Sequence, residues 1–217
     1  MSDERPIRRL LEGVLRFHDD EFPRDHIIFE HLASGQHPHT LFITCADSRI
    51  VPELITQTAP GELFVCRNIG NIVPPYCDSS CDVSAVMEYA CTELKVSEIV
   101  VCGHSDCGAM KGLQRPVSTE HMPAVTSWLR NAAVVRERVQ TTRPDLEGPE
   151  AIQALVEQNV RTQFANLRTH PSVAARIAED NIEMHGWVYD IGAGTIGVFD
   201  SEESELIPMQ EALAQLR

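Results

Sequence analysis

The apolar positions of this 217-residue chain change period several times, and each change marks an element. From Ile7 they fall at Leu10, Leu11, Val14, Leu15 and Phe17, the spacing of one helix face. Pro23 is expected to stop that helix. A second helix is predicted over residues 25–33, with Gly35 as its stop signal. "TLFITC", residues 40–45, is apolar or β-branched until its final cysteine and reads as a buried strand. "VPELITQ" suits a short helix with Pro52 in its first turn, and "GELFVC" a second strand ending at Cys66. After the turn-rich "RNIGNIVPPYCDSS", Ser79 or Ser80 is placed to cap a helix with Val83, Val86, Met87, Ala90 and Leu94 on its inner face.

"EIVVC", ending at Cys102, is the third strand. Gly103, Gly108 and Gly112 then allow a sharp turn and a helix starting closely behind it. Helices are predicted near residues 124–139 and 149–169, separated by the polar "TTRPDLEG". "IEMHGWVYDI" reads as a fourth strand, "TIGVFD" with "SELIPM" as a short antiparallel addition, and "QEALAQLR" as a last helix. Strand–helix alternation predicts an α/β fold, with a parallel sheet of about four strands flanked by helices. The expected organisation is one domain: a helical arm over 1–35, the α/β core over 36–200 and a tail over 201–217.

Composition narrows the functions open to such a fold. The apolar share, 43%, and the charged share, 23%, are those of an ordinary globular protein. A formal charge of −14 excludes the basic footprint of a nucleic-acid partner and attraction to an anionic membrane surface. No apolar run approaches the roughly 20 residues of a membrane span. "MSDERPIRRLLEGVLRF" lacks the uninterrupted apolar core and small-residue cleavage site of a secretory signal. With an odd count of seven cysteines, the expectation is a cytoplasmic protein with reduced thiols.

Three of the metal-binding side chains lie just after predicted strands. Cys45 closes the first strand, and His104 and Cys107 follow the third. Open α/β sheets bind ligands outside the carboxyl ends of their strands, at a switch in strand order. If strands one and three are neighbours, Cys45 faces the His104–Cys107 pair. Two thiolates and an imidazole suit one zinc ion per chain and leave its fourth position open, as in catalytic sites. Two thiolates also cancel the ion's charge, so a bound water would be acidified weakly. Asp47 is placed to orient that water and Arg49 to clamp Asp47. Cys66, Cys91 and Cys102 read as inert core, and Cys77 and Cys81 as loop residues. A non-catalytic zinc module, or a thiol redox protein cycling Cys45 and Cys107, would leave the Asp47–Arg49 pair idle.

"CADSR", "FVCRNIGNIVPPY", "VMEYA", "VCGHSDCGAMKG" and "HGWVYD" together resemble the β-class carbonic anhydrases, in order and over nearly the whole chain. "FPRDHIIFEHLASGQ", "MPAVTSWLR" and "NLRTHPSV" resemble the bacterial branch whose enzymes accompany cyanate breakdown. The resemblance implies reversible hydration of carbon dioxide to bicarbonate by zinc-bound hydroxide. It makes Cys45, His104 and Cys107 the zinc ligands, Asp47 and Arg49 the catalytic dyad, and Gln36, Phe64, Ile69, Tyr89 and Gly108 the substrate-binding residues. It further implies a homodimer or higher homo-oligomer built through the N-terminal helices, with each cleft completed across the interface. A regulatory bicarbonate pocket in one branch uses Trp, Arg and Tyr; here Arg67 and Tyr189 match, with Phe42 in place of the tryptophan. A hydrolase of carbonyl sulfide or carbon disulfide on the same fold is the second reading.

Overall fold

The computed structural model describes residues 5–77, 81–199 and 205–215, so the expected helix cap at Ser79 or Ser80 lies outside the described residues. The chain divides into two compact units, Met1–His37 and Pro38–Arg217. In the first, α1 spans Pro6–Arg16 and continues as a wider π-helical turn, Phe17–Glu21, into α2, Phe22–Arg24. Pro23 therefore does not stop the helix where expected. It is carried inside the continuous helical run, as the second residue of α2 directly after the wider π-helical turn. The break comes at Asp25, before α3, His26–Leu32. The apolar stripe of α1, Leu10 and Val14 included, is solvent-exposed.

The second unit holds a six-stranded sheet in the order β2-β1-β3-β4-β5-β6. β1 is Thr40–Cys45, and every one of its residues is buried, as its unbroken apolar run requires. α4, Pro52–Thr56, starts on its proline and leads to β2, Leu63–Asn68. α5, Asp82–Glu88, continues as a π-helical segment, Tyr89–Leu94, and buries Val83, Met87 and Ala90 as expected. β3 is Glu98–His104 and α6 is Gly108–Gln114. One helix was expected near 124–139; the chain instead forms α7, Pro123–Leu129, a 3₁₀ turn, and α8, Ala133–Thr142. α9, Gly148–Arg168, is followed by α10, Pro171–Ala178, which the hydrophobic pattern missed although Pro171 opens it. β4, Glu183–Asp190, β5, Thr195–Phe199, β6, Ile207–Pro208, and α11, Met209–Gln215, complete the unit.

β1 pairs in parallel with β2 and β3, and β3 with β4, whereas β5 and β6 join antiparallel. The chain thus leaves β1 toward β2 on one side and returns as β3 on the other. The change of direction opens a crevice at the carboxyl ends of β1 and β3. One face of the sheet, with Leu41, Ile43, Ile99 and Val101, packs into the main core beneath α9 residues such as Val156 and Val160. α9 lies close enough that a Cβ on Gly186 of β4 would sit 2.9 Å from both Phe164 Cε2 and Val160 Cγ1. Gly186→Ala is expected to cost about 1–3 kcal/mol by overpacking, lowering Tm by roughly 2–4 °C for each kcal/mol. An unchanged melting curve would show that the helix can retreat freely.

Candidate metal centre

Three buried ligand atoms converge in the crevice. Cys45 ends β1, His104 ends β3 and Cys107 directly precedes α6; their ligand atoms all lie within 4.8 Å of one another. His104 Nδ1–H donates to the Ser105 carbonyl at 2.9 Å, which turns Nε2 inward with its lone pair free. That Nε2 is buried without a hydrogen-bond partner. A buried imidazole nitrogen left bare beside two thiols is costly unless a cation takes its lone pair. The residues therefore fit a divalent metal, and their sulfur and nitrogen donors suit zinc.

The thiols are electrically distinct. The Cys107 S–H hydrogen bond, with smaller help from the backbone N–H groups of Gly70 and Asp47, pulls the Cys45 thiol well below the ordinary range. The Cys107 thiol is pushed up by its own bond to Cys45 and by burial. Metal binding must displace the Cys107 proton, so affinity falls as pH falls. Elsewhere burial pushes Cys66 and Cys91 up to about 11 and Cys102 up to about 12, as inert core thiols should be.

Asp47 lies at the rim, its Oδ2 3.9 Å from His104 Nε2. Arg49 grips both of its oxygens, Nε donating to Oδ1 at 2.9 Å and Nη2 to Oδ2 at 2.8 Å. The Arg49 backbone N–H adds a third bond, to Oδ1, at 3.0 Å. This guanidinium holds the Asp47 carboxyl well below the usual carboxylate range, so it stays ionised at neutral pH. Arg49 in turn donates to Asp106, which Lys111 also pairs. Arg67 donates to the carbonyls of Cys45, at 3.2 Å, and Asp47, at 2.6 Å, and so holds the turn that carries the site. Phe42 is buried edge-on to Trp187.

The expected substrate residues separate into groups. Ile69 follows β2 at the level of Cys45, and Gly108 follows Cys107 with open space where a side chain would stand. Phe64 and Tyr89 are neighbours, ring centroids 5.8 Å apart, but Phe64 pairs with Leu41, four residues back along β1 from Cys45. At about 3.3 Å per residue that is roughly 13 Å from the thiol end. Gln36 belongs to the first unit. Two features escaped the sequence reading. The Gly70 N–H donates to Cys45 Sγ at 3.4 Å, and Asn159, Gln163 and Asn166 of α9 hold the loop around it. Amides recurring at helical spacing inside an otherwise apolar face were the available signal. A second cluster, Glu98, Glu183 and His185, lies toward the opposite ends of β3 and β4, where His185 pairs with Glu98.

The sequence profile of the family described as carbonic anhydrase matches residues 40–196. A carbonic anhydrase of Pseudomonas aeruginosa is 45% identical over 94% of this chain and 93% of its own length. Carbonic anhydrase 1 of Escherichia coli O157:H7 is 48% identical over 94% of this chain and 92% of its own. Among solved structures, the β-carbonic anhydrase CcaA superposes with a TM-score of 0.90 at 41% identity, over 93% of this chain and 98% of that one. A β-carbonic anhydrase of Sordaria macrospora, one of two described as tetrameric, gives 0.82 at 32% identity, over 91% of this chain and 98% of that one.

Proposed function

The chain belongs to the carbonic anhydrase family, in its β class, whose members hydrate carbon dioxide, and we propose that Cys45, His104 and Cys107 hold one zinc ion for that reaction. The observation that carries this is the bare, buried Nε2 of His104 between two thiols whose ligand atoms lie within 4.8 Å. A zinc ion held by these three side chains would supply Lewis-acid activation of a water molecule. Asp47, ionised and clamped by Arg49, would accept a hydrogen bond from the attacking water and so orient it. Ile69 supplies an apolar wall, and Gly108 leaves room beside the thiol.

Phe64 and Tyr89, set back along the sheet, suit a cleft completed by a second copy. The exposed apolar stripe of α1 is the surface such an assembly would cover. We therefore read the chain as a homodimer or larger homo-oligomer. An odd count of seven cysteines supports a cytoplasmic location, and no helix among the described residues is long and apolar enough to cross a membrane. The comparisons give no support to a carbonyl sulfide or carbon disulfide hydrolase. Stopped-flow mixing of carbon dioxide with an indicator dye is expected to show hydration by protein carrying about one zinc per chain. Zinc-loaded protein with no rate above buffer would refute the assignment.

A further inference from the structure

We propose that Trp128 and Asn159 are positioning residues for the metal-binding thiolate, because together they fix Gly70 so that its N–H is aimed at Cys45 Sγ. The inference rests on Cys45 being a zinc ligand, as proposed above. The peptide unit between Ile69 and Gly70 carries the N–H that donates to Cys45 Sγ at 3.4 Å. Its carbonyl end, Ile69 O, accepts the indole N–H of Trp128 at 2.7 Å. One planar peptide therefore joins the indole to the sulfur. A hydrogen bond at its oxygen both orients it and polarises its N–H.

Asn159 secures the other side of Gly70, its Nδ2 donating to Gly70 O at 2.8 Å. Asn159 is itself held by Gln163, whose Nε2 donates to Asn159 Oδ1 at 2.7 Å, and both amides are buried. Gln163 Oε1 accepts the Val73 N–H at 2.9 Å, so α9 grips the loop at two points. Position 70 has little freedom of its own. Its φ is +82°, and a Cβ there would meet Ala109 Cβ at 2.8 Å, so only glycine brings an N–H this near the sulfur. Hydrogen bonds to a ligating sulfur lower its donor energy, and such outer partners typically govern metal affinity by about 10–100-fold.

The test uses Co²⁺-substituted and zinc-loaded full-length protein. Cobalt bound by cysteine thiolates gives a sulfur-to-metal charge-transfer band. Weakening the N–H···S bond raises the sulfur donor level, so the band should move to lower energy. Trp128→Phe removes the indole N–H and keeps an aromatic ring, so it should fold. We expect it to shift the band and to speed zinc loss to a chelator several-fold. Asn159→Ala should do the same more strongly, by about 10–100-fold in the chelation rate. Should it fail to fold, Asn159→Ser, which keeps a hydroxyl donor, should give a smaller shift in the same direction. Leu167→Ala, also buried on α9, controls for destabilisation alone: it should lower Tm and leave the band in place. An unmoved band with unchanged zinc loss in folded Trp128→Phe and Asn159 variants would overturn the inference. Wild-type cobalt protein lacking the band altogether would instead remove Cys45 and Cys107 as ligands, a failure of the underlying assignment.

Discussion

Cys107→Ala is expected to lose both zinc and turnover while keeping its fold. The substitution takes one thiolate from a set of three ligands and leaves Cys45 and His104, too few to hold zinc against competing water. Outer hydrogen-bond partners alone are worth about 10–100-fold in metal affinity, so removal of a direct ligand should exceed that range. Metal analysis after dialysis against a weak chelator should find the variant essentially empty, and carbon dioxide hydration should fall to the buffer rate. Cys91→Ala is the matched control, since that thiol is equally buried and its proton is held tightly by burial. It should keep its zinc and its rate. A Cys107→Ala protein that retained stoichiometric zinc would refute the ligand set.

Asp47→Asn should have the opposite dissociation of effects, keeping the metal and losing the rate. The three ligand side chains are untouched, so zinc content should match that of the native protein. An amide cannot accept Arg49 at both positions, and its NH₂ would present a donor where an acceptor is needed. A positioned acid–base group contributes about 10²–10⁴-fold to a rate, and the loss in kcat near neutral pH should fall in that range. Asp47 is depressed by Arg49, so the stability from their pairing is present above the ordinary carboxylate range and is lost only as pH falls through the lowered value. Arg49→Ala would return Asp47 toward about 3.9, still ionised at pH 7. Any rate lost at pH 7 in Arg49→Ala therefore comes from orientation rather than charge. Full activity in Asp47→Asn would take the aspartate out of the mechanism.

The parts of the fold that were legible share a local signal. β1 and β3 are largely apolar runs that end in Cys45 and His104, and both proved fully or almost fully buried. The inner face of α5 showed the same directness. Errors came where one local signal met two outcomes. Pro23 can end a helix or be carried within one, and here the helical run passes it and breaks at Asp25. The apolar residues of 124–139 continue across a 3₁₀ turn without changing their spacing much, so period alone hides the break at Arg130–Ala132. α10 is only eight residues long, too short for a period to stand out.

By itself the sequence determined which side chains could bind metal and that they would stand at strand ends, because strand period and the place where a run stops are local properties. It also determined the Asp47–Arg49 clamp, whose partners are two residues apart. Only the tertiary structure decided that β1 lies beside β3, leaving the His104 nitrogen bare between two sulfurs, and that Phe64 and Tyr89 stand away from them. It alone decided that Gly70 reaches Cys45 and that Asn159, 89 residues further on, steadies Gly70. Hydrogen bonds between distant segments depend on how helices seat against the sheet, and no spacing along the chain encodes that seating.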